Sequence, residues 1–171
     1  VTGDSLDAVL VTVVFNWVVF LPAGLILYYP NYGFDWTTVL GFVGSGLAGN
    51  FLARYFLFEG THRIGASRII PLSRGNLIVS SILGIVFLGE VITTGHLIGI
   101  LILLAGIFMI SWELEAKDTE IHNPSGLDYL FPIAAVFFIA LGLFFGNIGF
   151  SGGASTVVGL MIKFTTAVAF I

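Results

Sequence analysis

The chain has no cysteine, and that absence excludes disulfide staples, thiolate catalysis and any Cys-ligated metal site. Charge is almost as scarce: 9% of its 171 residues are Asp, Glu, Lys or Arg, where a soluble domain needs about a quarter to cover its surface. Six basic against ten acidic residues leave a net charge of −4, so the basic face that a nucleic-acid partner requires is missing too. Neither Asp nor Glu stands in the middle of any long apolar run, which removes a membrane-embedded acidic proton site. His62, His96 and His122 are scattered over separate polar regions without HExxH spacing, the "SGG" after Phe150 reads as a turn and not as a nucleophile elbow, and no P-loop GxxxxGK[ST] motif occurs. An enzyme therefore has little to stand on, and no cofactor is expected. The opening "VTGDSLD" is acidic where a signal peptide would be basic.

What remains is hydrocarbon. Hydrophobic residues make up 57% of the chain and the mean hydropathy is +1.06. A spanning helix needs about 20 mostly apolar residues. Successive runs meet or approach that length: Ala8 to Tyr29, Thr38 to Phe58, Ile69 to Gly89, Val91 to Trp112, Leu127 to Phe150, and a last one from Ala154. They are too long for buried strands and lack the alternation of a membrane barrel, so the expected fold is an all-α membrane protein. It is a multi-pass transmembrane helical bundle in a lipid bilayer, and the cell membrane is its expected location. Tyr28, Tyr29, Tyr32 and Trp36 crowd the turn around Pro30, Asn31 and Gly33, while Trp112 and Tyr129 bracket the polar segment Glu113 to Gly126, as interfacial aromatics do. Val1 in place of Met, and the apolar ending "FTTAVAFI", predict an internal portion of a longer protein.

Glycine is patterned. Gly41, Ser45 and Gly49 repeat at four residues, as do Gly95 and Gly99, and Gly142 and Gly146 with Gly149 continuing the face. In lipid such stripes let helix backbones approach closely, either for packing alone or as sliding surfaces in a rocking transporter.

The polar residues at membrane depth carry the functional argument. Arginine on a spanning helix costs about 2.5 to 3.5 kcal/mol on insertion scales, so it persists where something compensates it. Arg74 lies some six residues inside its run and can snorkel to an interface over about 9 Å of helix. Yet Ser67 and Ser81 share its face, and Ser73, Asn76 and Ser80 line another, so the helix is polar on more than one side. Asn50 and Arg54 are four apart on the second run with Tyr55 beside them, and Arg54 has Glu59 or an interface as its structural alternative. Two guanidinium groups around a wet cavity suit carboxylates or other anions. Asn16, Asn147 and Lys163 are further isolated polar residues, usually packing hydrogen bonds, with charged Lys163 holding the best functional claim. Glu90, ahead of Thr93 and Thr94, suits a helix N-terminus.

The stretch "RIGASRIIPL…ILGIVFLGEVITTGHLIGILILLAGIFMIS", Arg63 to Ser111, resembles the EamA-type family of the drug/metabolite transporter superfamily. The features that carry the likeness are the entry "GASRIIPL", the "FLGE" ending at Phe87 to Glu90 and the glycine-bearing helix with Gly99 and Gly106. Leu77 stands where the family often has a second proline, which leaves Gly75 to loosen the backbone there. The resemblance implies a ten-helix, inverted-repeat transporter built of two five-helix units. Residues 1–112 would be the first unit without its first helix, 113–126 the linker, and 127–171 the start of the second. "DAVLVTVVFNWVVF" and "ASTVVGLMIKFTTAVAF" would then be equivalent elements, with Asn16 matched to Lys163. The implied function is a secondary transporter, exporter or permease, of small organic metabolites, with a central cavity lined by Asn50, Arg54, Tyr55, Ser73, Arg74, Asn76, Asn147 and Lys163 and an anionic or zwitterionic substrate. The alternative is a non-transporting scaffold or assembly protein whose polar residues only join helices. Arg63, Arg68 and Lys117 share one side, which the positive-inside rule makes cytoplasmic and the family plan makes external.

Overall fold

The computed structural model describes residues 5–29, 32, 35–89, 91, 93–117 and 125–171, and their regular structure is helical throughout. Helix α1 spans Ser5–Tyr28, α2 Trp36–Ser45, α3 Ala53–Ile64, α4 Ala66–Ser73, α5 Asn76–Leu88, α6 Thr94–Lys117, α7 Leu130–Ser151 and α8 Thr156–Ala169. A π-helical segment, Gly46–Leu52, joins α2 to α3 without a break, and a 3₁₀ turn, Gly126–Tyr129, leads into α7. Among the described residues three helical stretches are long and apolar enough to cross a membrane, Leu6–Tyr28, Arg68–Leu88 and Gly126–Ser151, and Thr94–Ile110 and Thr156–Ala169 are shorter apolar helices.

The boundaries differ from the hydropathy runs where a polar residue is helical. The second helix continues through "EGTHRI" to Ile64 because Glu59 and Arg63, one turn apart, pair across 2.8 Å. It stops at Gly65, whose φ of 85° only glycine adopts without strain. Likewise α6 carries on past Trp112 to Lys117. The turn residues Pro30, Asn31 and Gly33, the Ser67 side chain, Glu90 and His122 lie outside the described part.

Packing centres on α7. Its face of Gly142, Gly146 and Gly149 meets the Gly41, Ser45, Gly49 stripe in antiparallel order. A Cβ on Gly41 would strike the Gly149 backbone, and one on Gly142 would lie 2.5 Å from Gly49 Cα. Ser45 Oγ donates to Gly142 O at 2.6 Å across this seam. Phe42, fully buried, fills the notch that Gly149 and Gly159 leave and meets the Phe150 ring edge-on at 4.9 Å. Helices α1 and α8 also pair antiparallel: Val9 and Val13 share a core cluster with Phe164 and Ala167, Phe20 stacks on Phe164 at 5.7 Å, and Gly24 abuts Met161. Helix α5 runs parallel to α7, with Gly75 beside Val136 and Phe87 against Phe144 at 5.5 Å. The third stripe behaves otherwise. Gly95 has only the Thr93 hydroxyl near, and Gly99 has nothing within 4 Å, so no backbone closes on α6 there among the described residues.

These directions give the bundle two ends. One end holds the start of α1, the α3–α4 turn, the end of α6 and the start of α7. The other holds the end of α1, the start of α2, the α5–α6 turn and the α7–α8 turn.

Candidate functional site

Asn50 sits in the π-helical segment, and the reason is local. Gly46 and Gly49 have no side chains, and neighbouring backbones press on both: the Lys163 carbonyl of α8 on Gly46, and Gly142 of α7 on Gly49. The widened turn accommodates that double approach, a pattern common where helices carry function. Asn50 Nδ2 is buried without a hydrogen-bond partner among the described residues. Arg54 and Lys163 are both partly buried, and the Lys163 carbonyl lies against Gly46, four residues before Asn50 and eight before Arg54. Neither cation forms an ion pair among the described residues, and Glu59, the structural alternative for Arg54, pairs with Arg63. Tyr55 packs on the α1–α8 core and edges the Phe56 ring at 5.5 Å. An unpartnered amide and two uncompensated cations, one on α3 and one on α8, thus share one region.

A second region is the break between α4 and α5. Pro71 has no N–H, and the chain tightens into two three-residue turns, Arg74 N–H to Pro71 O and Gly75 N–H to Leu72 O, both 3.0 Å. The break thus forms with Leu77 in place of a second proline. Arg74 caps α4 and is exposed, Asn76 opens α5 half-buried, and Ser73 donates to Ile70 O at 2.7 Å on its own helix. An apolar groove of about 620 Å³ separates Pro71, Leu72 and Gly75 from Leu104 and Phe108 of α6.

Asn147 belongs to a third region, a cavity of about 200 Å³ between α5 and α7 that Ser80, Ser81, Gly84, Leu143 and Phe144 also line. Ser80 and Ser81 both donate to Leu77 O, at 3.1 and 2.8 Å, which leaves their oxygens able to accept. At about 100° per residue, Asn147 stands roughly 140° around α7 from Gly142, on the side away from the glycine seam. The eight predicted residues are therefore divided. Asn50, Arg54, Tyr55 and Lys163 lie toward α8, Ser73, Arg74 and Asn76 at the break, and Asn147 across α7. Asn16 donates to Thr12 O at 2.7 Å, a bond within its own helix.

Sequence reasoning missed the partnership of Ser80 and Ser81 with Asn147. It also missed Arg63, which donates to Glu59 at 2.8 Å and to Asp128 at 3.3 Å and lies 4.2 Å over the Phe131 ring. Glu59 and then Asp128 raise the Arg63 pKa above its ordinary value. The signal for Arg63 was its i, i+4 spacing from Glu59; for Asp128 there was none short of the fold. No group of three His, Asp or Glu that could hold a metal occurs among the described residues.

Long apolar helices crossing glycine to glycine, with cations and amides inside them, mark an integral membrane protein. The model of the EamA-like transporter family matches residues 2–112, and the chain belongs to that family. No curated protein and no solved structure matches it.

Proposed function

We propose that the chain is part of a multi-pass secondary transporter of small organic metabolites, an exporter or permease in the cell membrane working by alternating access. On this reading residues 1–112 belong to a first unit, 113–126 to a linker and 127–171 to a second unit of a ten-helix inverted repeat. Two features support the division: the family match ends at residue 112, and α1 pairs antiparallel with α8, the element proposed as its equivalent. The observation that carries the function is the placement of Asn50 and Arg54 on a helix that packs against Lys163 of α8, with no acidic partner for either cation among the described residues. Each cation at membrane depth costs about 2.5 to 3.5 kcal/mol, a cost that persists where a ligand or water offsets it. An anionic or zwitterionic substrate group supplies that offset, with one cation from each unit so that rocking changes its surroundings. Asn147 and the cavity beside it, with Ser73, Arg74, Asn76 and Tyr55 along the remaining path, complete the lining.

The test is flux of labelled organic acids and amino acids into proteoliposomes holding the full-length protein. Arg54→Ala and Lys163→Ala are each expected to lower the flux at least tenfold. Full flux in both variants refutes the cation site. A scaffold predicts instead that cysteines placed at Asn50 and Asn147 stay closed to a water-soluble maleimide.

A further inference from the structure

The two ends of α7 are built differently. At its start, Asp128 is fixed by the Ser125 N–H, which donates to Oδ2 at 2.8 Å, while its Oδ1 accepts from Arg63 of α3 at 3.3 Å. Arg63 is clamped from behind by Glu59 at 2.8 Å, and its guanidinium covers Phe131 at 4.2 Å. Beneath that contact the packing is tight: Gly60 abuts Ile69 and Phe131, and Ala135, one turn further in, is fully buried. Toward the other end, about 24 Å along the helix from Phe131, lies the cavity of Ser80, Ser81 and Asn147. One end is shut by charge and aromatic contact, and the other holds polar space.

We propose that Arg63, Asp128 and Phe131 form a latch between the two units, which keeps this end closed while the cavity at the opposite end is open. The latch rests on the alternating-access reading and adds to it which contacts must part when the protein reverses. Arg63 leaves one ion pair, Asp128, and one ring, Phe131, in the other unit, and keeps Glu59 within its own. Such partly exposed contacts are individually weak, which suits a gate that opens every cycle.

The absence of native cysteine allows a direct test by maleimide labelling rates in the full-length protein in proteoliposomes. Ala135→Cys reports the latch end and Ser81→Cys the cavity end. In Asp128→Asn, whose amide oxygen still accepts the Ser125 N–H, and separately in Phe131→Leu, the rate at position 135 is expected to rise about threefold to tenfold and that at 81 to fall. Unchanged rates at both positions in both variants overturn the latch. A rise at 135 with no fall at 81 overturns it as well, since that is fraying of one end. If position 81 is closed to reagent in the parent, there is no open cavity, and alternating access fails together with the latch.

Discussion

Replacing Gly142 with alanine tests the seam on which the bundle turns. The new Cβ would stand 2.5 Å from Gly49 Cα and 2.8 Å from Gly49 N, where ordinary contact starts near 3.4 Å. Both obstacles are backbone, so no rotamer relieves them, and the helices must part by roughly 1 Å. That displacement takes the Ser45 Oγ to Gly142 O bond from 2.6 Å to about 3.6 Å, past the hydrogen-bonding range. Overpacking costs about 1–3 kcal/mol and the lost interhelical bond about 0.6–1.5 kcal/mol. The sum, about 2–4 kcal/mol, lowers the folded-to-unfolded ratio roughly 30-fold to 1000-fold. Reversible unfolding of the full-length protein by SDS in mixed micelles measures it. Gly99→Ala is the control, because nothing among the described residues lies within 4 Å of that position and alanine favours helix by up to about 1 kcal/mol. Equal unfolding midpoints for the two variants would refute the claim that α2 and α7 touch backbone to backbone.

Ser45→Ala removes the seam's hydrogen bond without adding volume, so the same titration should show a loss of about 1 kcal/mol, smaller than that of Gly142→Ala. Asn50→Leu separates stability from function: removing a buried unpartnered amide should leave the midpoint unchanged or raise it, while flux falls at least tenfold. Outside the membrane, the Thr37 hydroxyl donates to Asp35 ahead of α2 and lowers the carboxyl pKa below 3.8. A depressed carboxylate stabilises the fold above its ordinary value and loses that contribution as pH falls below about 3.8 through the folded value. Thr37→Val should therefore move the Asp35 NMR titration midpoint upward, toward 3.8.

The helices were readable from hydropathy because lipid demands long, internally bonded segments, and that demand is written along the chain. Interruptions were less readable. The π-helical segment at Gly46–Leu52 follows from two helices pressing on glycines from opposite sides, a condition no local propensity expresses. Glycine spacing was read correctly as a packing surface on α2 and α7. The same spacing on α6 finds no helix to receive it among the described residues, because a stripe records what a face permits and leaves the neighbour unspecified.

The polar residues show the same limit more sharply. Helical periodicity joined Asn50 to Arg54, since it relates residues on one helix, but their relation to Lys163 and Asn147 depends on how α7 and α8 are turned. Along α7 the glycine face is committed to α2, and that commitment rotates Asn147 to the α5 side, away from both cations. A substrate held by Arg54 and Lys163 and one resting against Asn147 would thus occupy opposite flanks of the same helix. On the alternating-access reading this is a requirement on the motion: α7 must shift against α5 or α2 for all eight residues to line one passage. For such a shift the close backbone contact of the glycine seam must be held while Phe42 leaves the notch of Gly149 and Gly159. The Ser45 bond to Gly142 is then a second contact that such a shift must break.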